Sequence, residues 1–93
     1  MSYSLAYLPS AREEWDKLGE TVRRQFKKKL AERLAHPRVA GDALHGMPNH
    51  FKIKLRQAGY RLVYRVDDEV VTVLVVAVGK REHADVYEAA RRR

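Results

Sequence analysis

Apolar and polar residues alternate without a break over "FKIKLR", residues 51–56. Successive side chains of an extended strand point to opposite faces, so Phe51, Ile53 and Leu55 share one face while Lys52, Lys54 and Arg56 share the other. The next stretch, "YRLVYRV", continues the pattern with Tyr60, Leu62, Tyr64 and Val66 on its apolar side. Between the two lies "QAG", and the register of this hairpin decides where Arg61 points. A two- or four-residue connection puts Arg61 beside Lys52 and Lys54, whereas a three-residue loop with a bulge at Gly59 turns it into the core. The first register is expected, because an uncompensated arginine is costly inside a small core. A third run, "VVTVLVVAV" from Val70 to Val78, is apolar at nearly every position. That predicts a strand covered on both faces, in the middle of the sheet.

The N-terminal half reads differently. Tyr3 to Leu8 alternates loosely and stops at Pro9, as a strand does. In "SARE", Ser10 as N-cap with Glu13 three residues on has the form of a capping box, and Ala11, Trp15 and Leu18 fall on one side of the helix that follows. Gly19 ends that helix. From Thr21 to about His36, Val22, Phe26, Leu30 and Leu34 recur at helical spacing, and Pro37 forbids continuation. The other faces of this second helix carry Arg23, Arg24, Lys27, Lys28, Lys29 and Arg33. A loop with Gly41, Gly46 and Pro48 leads into the strands, and a short helix from His83 to Arg92, anchored by Val86 and Ala90, closes the chain. The expected architecture is α+β: an N-terminal strand and two helices packed on an antiparallel sheet, a short C-terminal helix, and the second sheet face left for function.

Ninety-three residues suffice for a single domain. No apolar run approaches the roughly 20 residues of a membrane span, and the start lacks the pattern of a secretory signal, so a cytoplasmic protein with no membrane partner is expected. There is no cysteine, which removes disulfides, thiolate metal sites and cysteine nucleophiles. Nineteen Lys and Arg against twelve Asp and Glu give a net charge of +7, which favours a polyanionic partner. Like charges facing each other across a ladder destabilise it, so a cluster of Lys52, Lys54, Arg61 and Arg65 makes sense when an anion sits among them; the alternative is a solvated basic face. Neither a metal nor a cofactor is expected, since Asp67, Asp68 and Glu69 read as a tight turn, Glu82 stands near a cationic site, and no glycine-rich nucleotide loop is present.

The segments "KLGETVRRQFKKKL", "LHGMPNHFKIKLRQAGYRLVYRV" and "VVAVGKREHADVYEAA" resemble the RelE family of bacterial toxin ribonucleases over essentially the whole chain. The resemblance rests on the spacing of "GMP", "KIKLR", "GYRLVY" and "VGKRE" with a later "VY". It implies a RelE-like fold and a messenger RNA endonuclease that cuts within the codon in the ribosomal A site. It also implies inhibition by a RelB-like antitoxin with an acidic toxin-binding segment, through which alone operator DNA is contacted. The family's active-site residues fall on Lys52, Lys54, Arg61, Arg81 and Tyr87. Contacts to mRNA and to the 16S rRNA of the 70S ribosome are expected from Arg23, Lys27, Lys28, His45, Arg56, Arg65 and Lys80, with His45 standing where such sequences often carry arginine. The wider superfamily includes ParE-like gyrase poisons that share the fold without this basic set, which supplies the alternative function.

The chemistry follows from the residue types. In metal-free RNA cleavage the 2′-hydroxyl attacks the adjacent phosphorus. The enzyme supplies a base, stabilisation of the phosphorane charge and an acid for the leaving 5′-oxygen. Clustered cations meet the second need, and the planar fork of Arg61 suits a phosphate clamp. Lys54 or Tyr87 is the base, since neighbouring positive charge lowers the pKa of both types. Either Arg81 stands as donor near the leaving oxygen with Lys52 stabilising charge, or Arg81 is purely electrostatic and Lys52 is the acid. A histidine mechanism is the rival, because His45, His50 and His83 flank the basic strip, while His36 merely closes the second helix.

Overall fold

The computed structural model describes residues 2–80 and 85–93. In chain order the elements are β1 (Ser4–Tyr7), α1 (Pro9–Asp16), α2 (Glu20–Ala35), a 3₁₀ turn (Ala40–Asp42), β2 (His50–Leu55), β3 (Tyr60–Asp67), β4 (Thr72–Lys80) and α3 (Asp85–Arg92). The strands form one sheet in the order β1-β4-β3-β2. β2, β3 and β4 are a meander of antiparallel neighbours, as the sequence suggests. β1 adds to the far edge parallel to β4, so the sheet is mixed and not purely antiparallel. The parallel pairing follows from the helices, which carry the chain across the sheet before the meander begins.

The apolar run of β4 lies between β1 and β3, with Val73, Val75, Val76, Ala77 and Val78 all buried. On one face α1 and α2 pack Ala11, Trp15, Leu18, Phe26 and Leu30 onto Phe51, Ile53, Leu55, Leu62, Tyr64 and Val66. On the other, α3 sets Val86 and Ala90 against Val63, Val76, Ala77 and Met47. The second face is therefore not left wholly free: α3 roofs half of it and leaves the β2 side open. Among the described residues no helix is long and apolar enough to cross a membrane.

Three local expectations are corrected. Ser10 does not cap α1; the N-cap is Leu8, with no side-chain cap bond, and Pro9 opens the helix. Proline suits that first position because its φ is already helical and its missing N–H has no helical partner there. Gly19 does not end α1, which stops at Asp16, but is the N-cap of α2. The strand of the apolar run, β4, starts at Thr72 and not at Val70, which is 64% exposed in a turn where Val71 takes φ 48°.

β4 carries a bulge. Val63 pairs with Ala77 and Tyr64 with Val75, so Val76 is skipped, and Val76 and Ala77 both turn toward α3. Glu14 of α1 and Arg93 service the backbone around the bulge. The Val78 N–H donates to Glu14 Oε1 at 3.1 Å, and Arg93 Nη1 donates to the Val76 carbonyl at 2.9 Å. Arg93 also makes a two-pronged ion pair with Glu14, at 2.9 and 3.1 Å. Both side chains are less than a third exposed. Arg93 is thus held fast against the sheet. Glu14→Ala leaves the Val78 amide without its acceptor and Arg93 with only the Val76 carbonyl, and a loss of about 1–3 kcal/mol in urea denaturation is expected.

Candidate functional site

Strand alternation and hairpin register build the site. β2 and β3 are joined by residues 56–59, with Gly59 at φ 73° and its N–H bonded to the Leu55 carbonyl at 2.8 Å. The four-residue connection pairs Lys54 with Arg61 and Lys52 with Val63. All three cations therefore stand on the α3 side of the sheet, and Arg61 is kept out of the larger core, as expected. α3 brings Tyr87 over the same area, and the segment before β2 brings Leu44, His45 and Met47. Together with Arg91 these residues line an open pocket of about 440 Å³.

Lys54 and Arg61 face each other directly, an arrangement that costs energy in an empty ladder. Lys52 first, then partial desolvation, Arg56 and Arg61 hold the Lys54 ammonium below the usual lysine pKa. The Arg61 guanidinium is the most telling group. Its Nη1 is buried and has no hydrogen-bond partner among the described residues. Buried donors in native proteins are nearly always satisfied, so this one is open to an acceptor that the described residues do not supply. A phosphate oxygen matches it in charge and geometry.

Of the five catalytic residues expected, Lys52, Lys54, Arg61 and Tyr87 converge on this pocket. Arg81 lies outside the described residues. The expected RNA contacts separate into groups. His45 lines the pocket. Arg56 lies in an adjoining hollow with Lys29, Arg33, Asp42 and Lys54, so the basic strip continues around the β2 edge. Lys80 is exposed at the end of β4. Arg65, expected to cluster with Lys52 and Lys54, does not: it pairs with His50 and lines a separate hollow with Arg38, Asn49 and Asp67 to Glu69. Arg23, Lys27 and Lys28 belong to α2, across the sheet from the pocket. Arg23 is further committed, since its Nη1 donates to the carbonyls of Leu18 at 2.9 Å and Asp16 at 3.2 Å.

Histidine pairing is not assembled among the described residues. His45 alone reaches the pocket, while the His50 ring lies 2.9 Å from the Pro48 carbonyl. His83 is outside the described residues. The aromatic residues assigned to packing do pack: Phe51 stacks on Tyr64 at 5.7 Å, and Trp15 sits between Tyr7 and Phe26.

Two residues escaped sequence reasoning. Arg91 follows Tyr87 by one helical turn and so reaches the same pocket, a signal available from the i, i+4 spacing once the anchors Val86 and Ala90 orient the helix. Arg33 read as one more surface cation of α2, yet its side chain is only 13% exposed. It donates to Asp42 Oδ2 at 2.6 Å, to the Tyr64 hydroxyl at 2.9 Å and to the Lys52 carbonyl at 3.3 Å. Burial pushes the Tyr64 pKa up, which keeps its hydroxyl a neutral donor to the Pro37 carbonyl at 2.6 Å.

A family model described as the ParE toxin of a type II toxin-antitoxin system, parDE, matches residues 5–84. The mRNA interferase toxin RelE of Escherichia coli (strain K12) is 55% identical over 93 residues, which span 100% of this chain and 98% of that protein. The solved structure of a mutant E. coli toxin RelE in the free state superposes with a TM-score of 0.93 at 54% identity, covering 100% of this chain and 98% of that one. A chain from the intact E. coli RelBE toxin-antitoxin complex superposes with a TM-score of 0.85 at 55% identity, over 88% of this chain and 100% of that one.

Proposed function

The chain belongs to the RelE family of type II toxin-antitoxin toxins, and we propose that it is an endoribonuclease that cuts messenger RNA within the codon held in the ribosomal A site. The observation that carries this reading is the buried Arg61 Nη1, without a partner among the described residues, in a pocket shared with Lys52, Lys54 and Tyr87. A scissile phosphate seated there gives Arg61 its missing acceptor and relieves the repulsion between Lys54 and Arg61 across the ladder. As the 2′-hydroxyl attacks, charge develops on the phosphorane oxygens in front of donors that are already in place, which is the larger part of such catalysis. The surrounding cations repel a divalent metal ion, so the reaction proceeds on side chains alone and needs no cofactor.

Lys54 is the better base. The positive charge around it lowers its pKa, whereas a base at the usual lysine value is almost fully protonated at neutral pH. Tyr87 then orients the attacking hydroxyl, Lys52 stabilises charge, and Arg81 serves the leaving oxygen, as the family resemblance implies. His45 and Arg91 at the pocket wall hold the flanking nucleotide. Free RNA is a poor substrate on this reading, because alignment of the attacking hydroxyl by the ribosome supplies a large part of the rate. Exposed Lys27 and Lys28, across the sheet, are left to meet rRNA. The 93 residues act as one toxin domain in the cytoplasm, restrained by a RelB-like antitoxin, as in the RelBE complex of E. coli.

The test is cleavage of messenger on ribosomes with an empty A site, with gyrase supercoiling followed in parallel because the matching family model carries the ParE description. Cleavage inside the A-site codon supports the proposal; intact message with inhibited gyrase overturns it. The pH profile assigns the base. A lysine must lose its proton to act, so the rate rises with pH through the lowered Lys54 pKa, and this limb sits below the ordinary value of 10.5. Lys54→Arg is expected to remove the limb together with most of the rate; a limb that survives the substitution assigns the proton to Tyr87.

A further inference from the structure

β2 is an edge strand, and its outer backbone groups face no other strand of the sheet. The chain itself covers that edge. Ala43 bridges to Phe51, and the Leu44 N–H donates to the His50 carbonyl at 3.0 Å. The next outward carbonyl, that of Lys52, is taken by Arg33 Nη1. Through its other nitrogen the same guanidinium grips Asp42, the residue immediately before the bridging segment. Arg33 also lies over the Tyr64 ring at 5.8 Å and donates to its hydroxyl, which is tied in turn to the Pro37 carbonyl. One side chain from α2 thus holds both the backbone of Lys52 and the start of the segment that delivers Leu44, His45 and Met47.

These are the two walls of the anion pocket. Arg33 and Asp42 do not line it; they lie behind β2, in the hollow on the other side of Lys54. From this arrangement we infer that the Arg33–Asp42 pair is a positioning device for the phosphate site, setting the gap between the segment 43–47 and the Lys52 and Lys54 strand. The inference rests on the proposed ribonuclease reading for its activity test, but not for its binding test. A planar fork with donors in fixed directions can satisfy Asp42, Tyr64 and Lys52 at once, which a lysine ammonium on a flexible stem cannot reproduce. Because the reacting atoms must be held to within a fraction of an ångström, a small opening of this gap costs cleavage rate as well as affinity for a bound phosphate.

Charge supplies a decisive test, because positioning and direct RNA contact predict opposite signs for one substitution. If Arg33 acted as a cation toward RNA, Asp42→Asn frees it and makes the protein one unit more positive, so anions bind tighter. If the pair positions the pocket, Asp42→Asn weakens the site despite the added charge. The expected result is that Asp42→Asn, Arg33→Lys and Arg33→Met each lower the single-turnover cleavage rate on saturating programmed ribosomes by roughly tenfold to a hundredfold. The half-saturating ribosome concentration and its salt dependence stay unchanged. Arg33→Met keeps the apolar stem, and Asp42→Asn is nearly isosteric, so at least one variant retains the fold as judged by its melting curve.

The second measurement uses inorganic phosphate as the probe on the free protein, followed by the amide signals of residues 43–47 and Lys52. Weaker phosphate binding in Asp42→Asn than in the native protein supports the inference even if no message is cut, an outcome that would sink only the ribonuclease reading. Tighter phosphate binding in Asp42→Asn, or full activity in Arg33→Lys, overturns it.

Discussion

Arg61→Ala is expected to lower single-turnover cleavage of ribosome-bound message by about 10²–10³-fold, the range seen when one preorganised donor to a developing anion is removed. The same variant is expected to melt no lower than the native protein. In the free protein Arg61 Nη1 is buried without an acceptor among the described residues, and the side chain faces Lys54 across the ladder. Removing it therefore relieves an unsatisfied donor and a like-charge pair, and loses only the packing of the side-chain stem. Activity and stability should move in opposite directions or stability should not move at all, as is usual for a group kept for its function. Thermal melting and cleavage measured on one preparation check both halves. A large drop in melting temperature would show that Arg61 is a structural residue and that the pocket is not organised around it.

Gly79→Ala is expected to disable the toxin without touching any residue of the pocket. Gly79 pairs with Arg61 across the ladder and faces α3. A Cβ there would come within 2.6 Å of Val86 Cγ2, closer than packed carbon atoms ever approach. Valine is branched at Cβ and has little freedom to swing aside inside a helix, so α3 itself must lift. Overpacking of this kind costs about 1–3 kcal/mol. Its larger effect is on function, because Tyr87 and Arg91 ride on the helix that moves. Cleavage is expected to fall at least tenfold, by analogy with displacements of catalytic groups of about an ångström. Hydrogen exchange in α3 should quicken while exchange in β2 and β3 stays as it was. Unchanged exchange in α3 together with full activity would mean that the helix does not need its close seat on the sheet.

The three strand cations of the pocket could be read from strand geometry before the fold was seen, whereas Tyr87 and His45 came from the family resemblance. Period-two alternation in "FKIKLR" fixes which side chains share a face whatever lies around them, and one register choice then places Arg61. The burial of Phe26, Leu30, Ile53 and Leu62 follows from the same local rules. What escaped depends on contacts between segments distant in sequence. The bulge at Val76 is invisible in "VVTVLVVAV", where every position from Val73 on is apolar and no alternation exists there to be interrupted. Parallel addition of β1 depends on where two helices deposit the chain. Arg33 looked like its neighbours on α2 because nothing in a helical pattern announces that an aspartate nine residues on, a tyrosine hydroxyl and an edge carbonyl will meet it. Arg65 was misplaced for the converse reason. Alternation assigns its face correctly but does not say how far along the strand it sits from Lys54.

The placement of β4 has a consequence for how the toxin comes into being. As the chain is synthesised from its N-terminus, β1 emerges with nothing to pair with, and the β2–β3 hairpin forms with its inner edge bare. Only Thr72–Lys80 joins the two, through pairings that span most of the sequence, such as Leu5 with Val73. Contacts so far apart form late and cannot be anticipated by the earlier segments. The hairpin thus gathers Lys52, Lys54 and Arg61 on one face before β4 seats α3, which completes the pocket with Tyr87. A chain in which β4 has not yet paired therefore holds these cations together without the helix that closes the pocket over them.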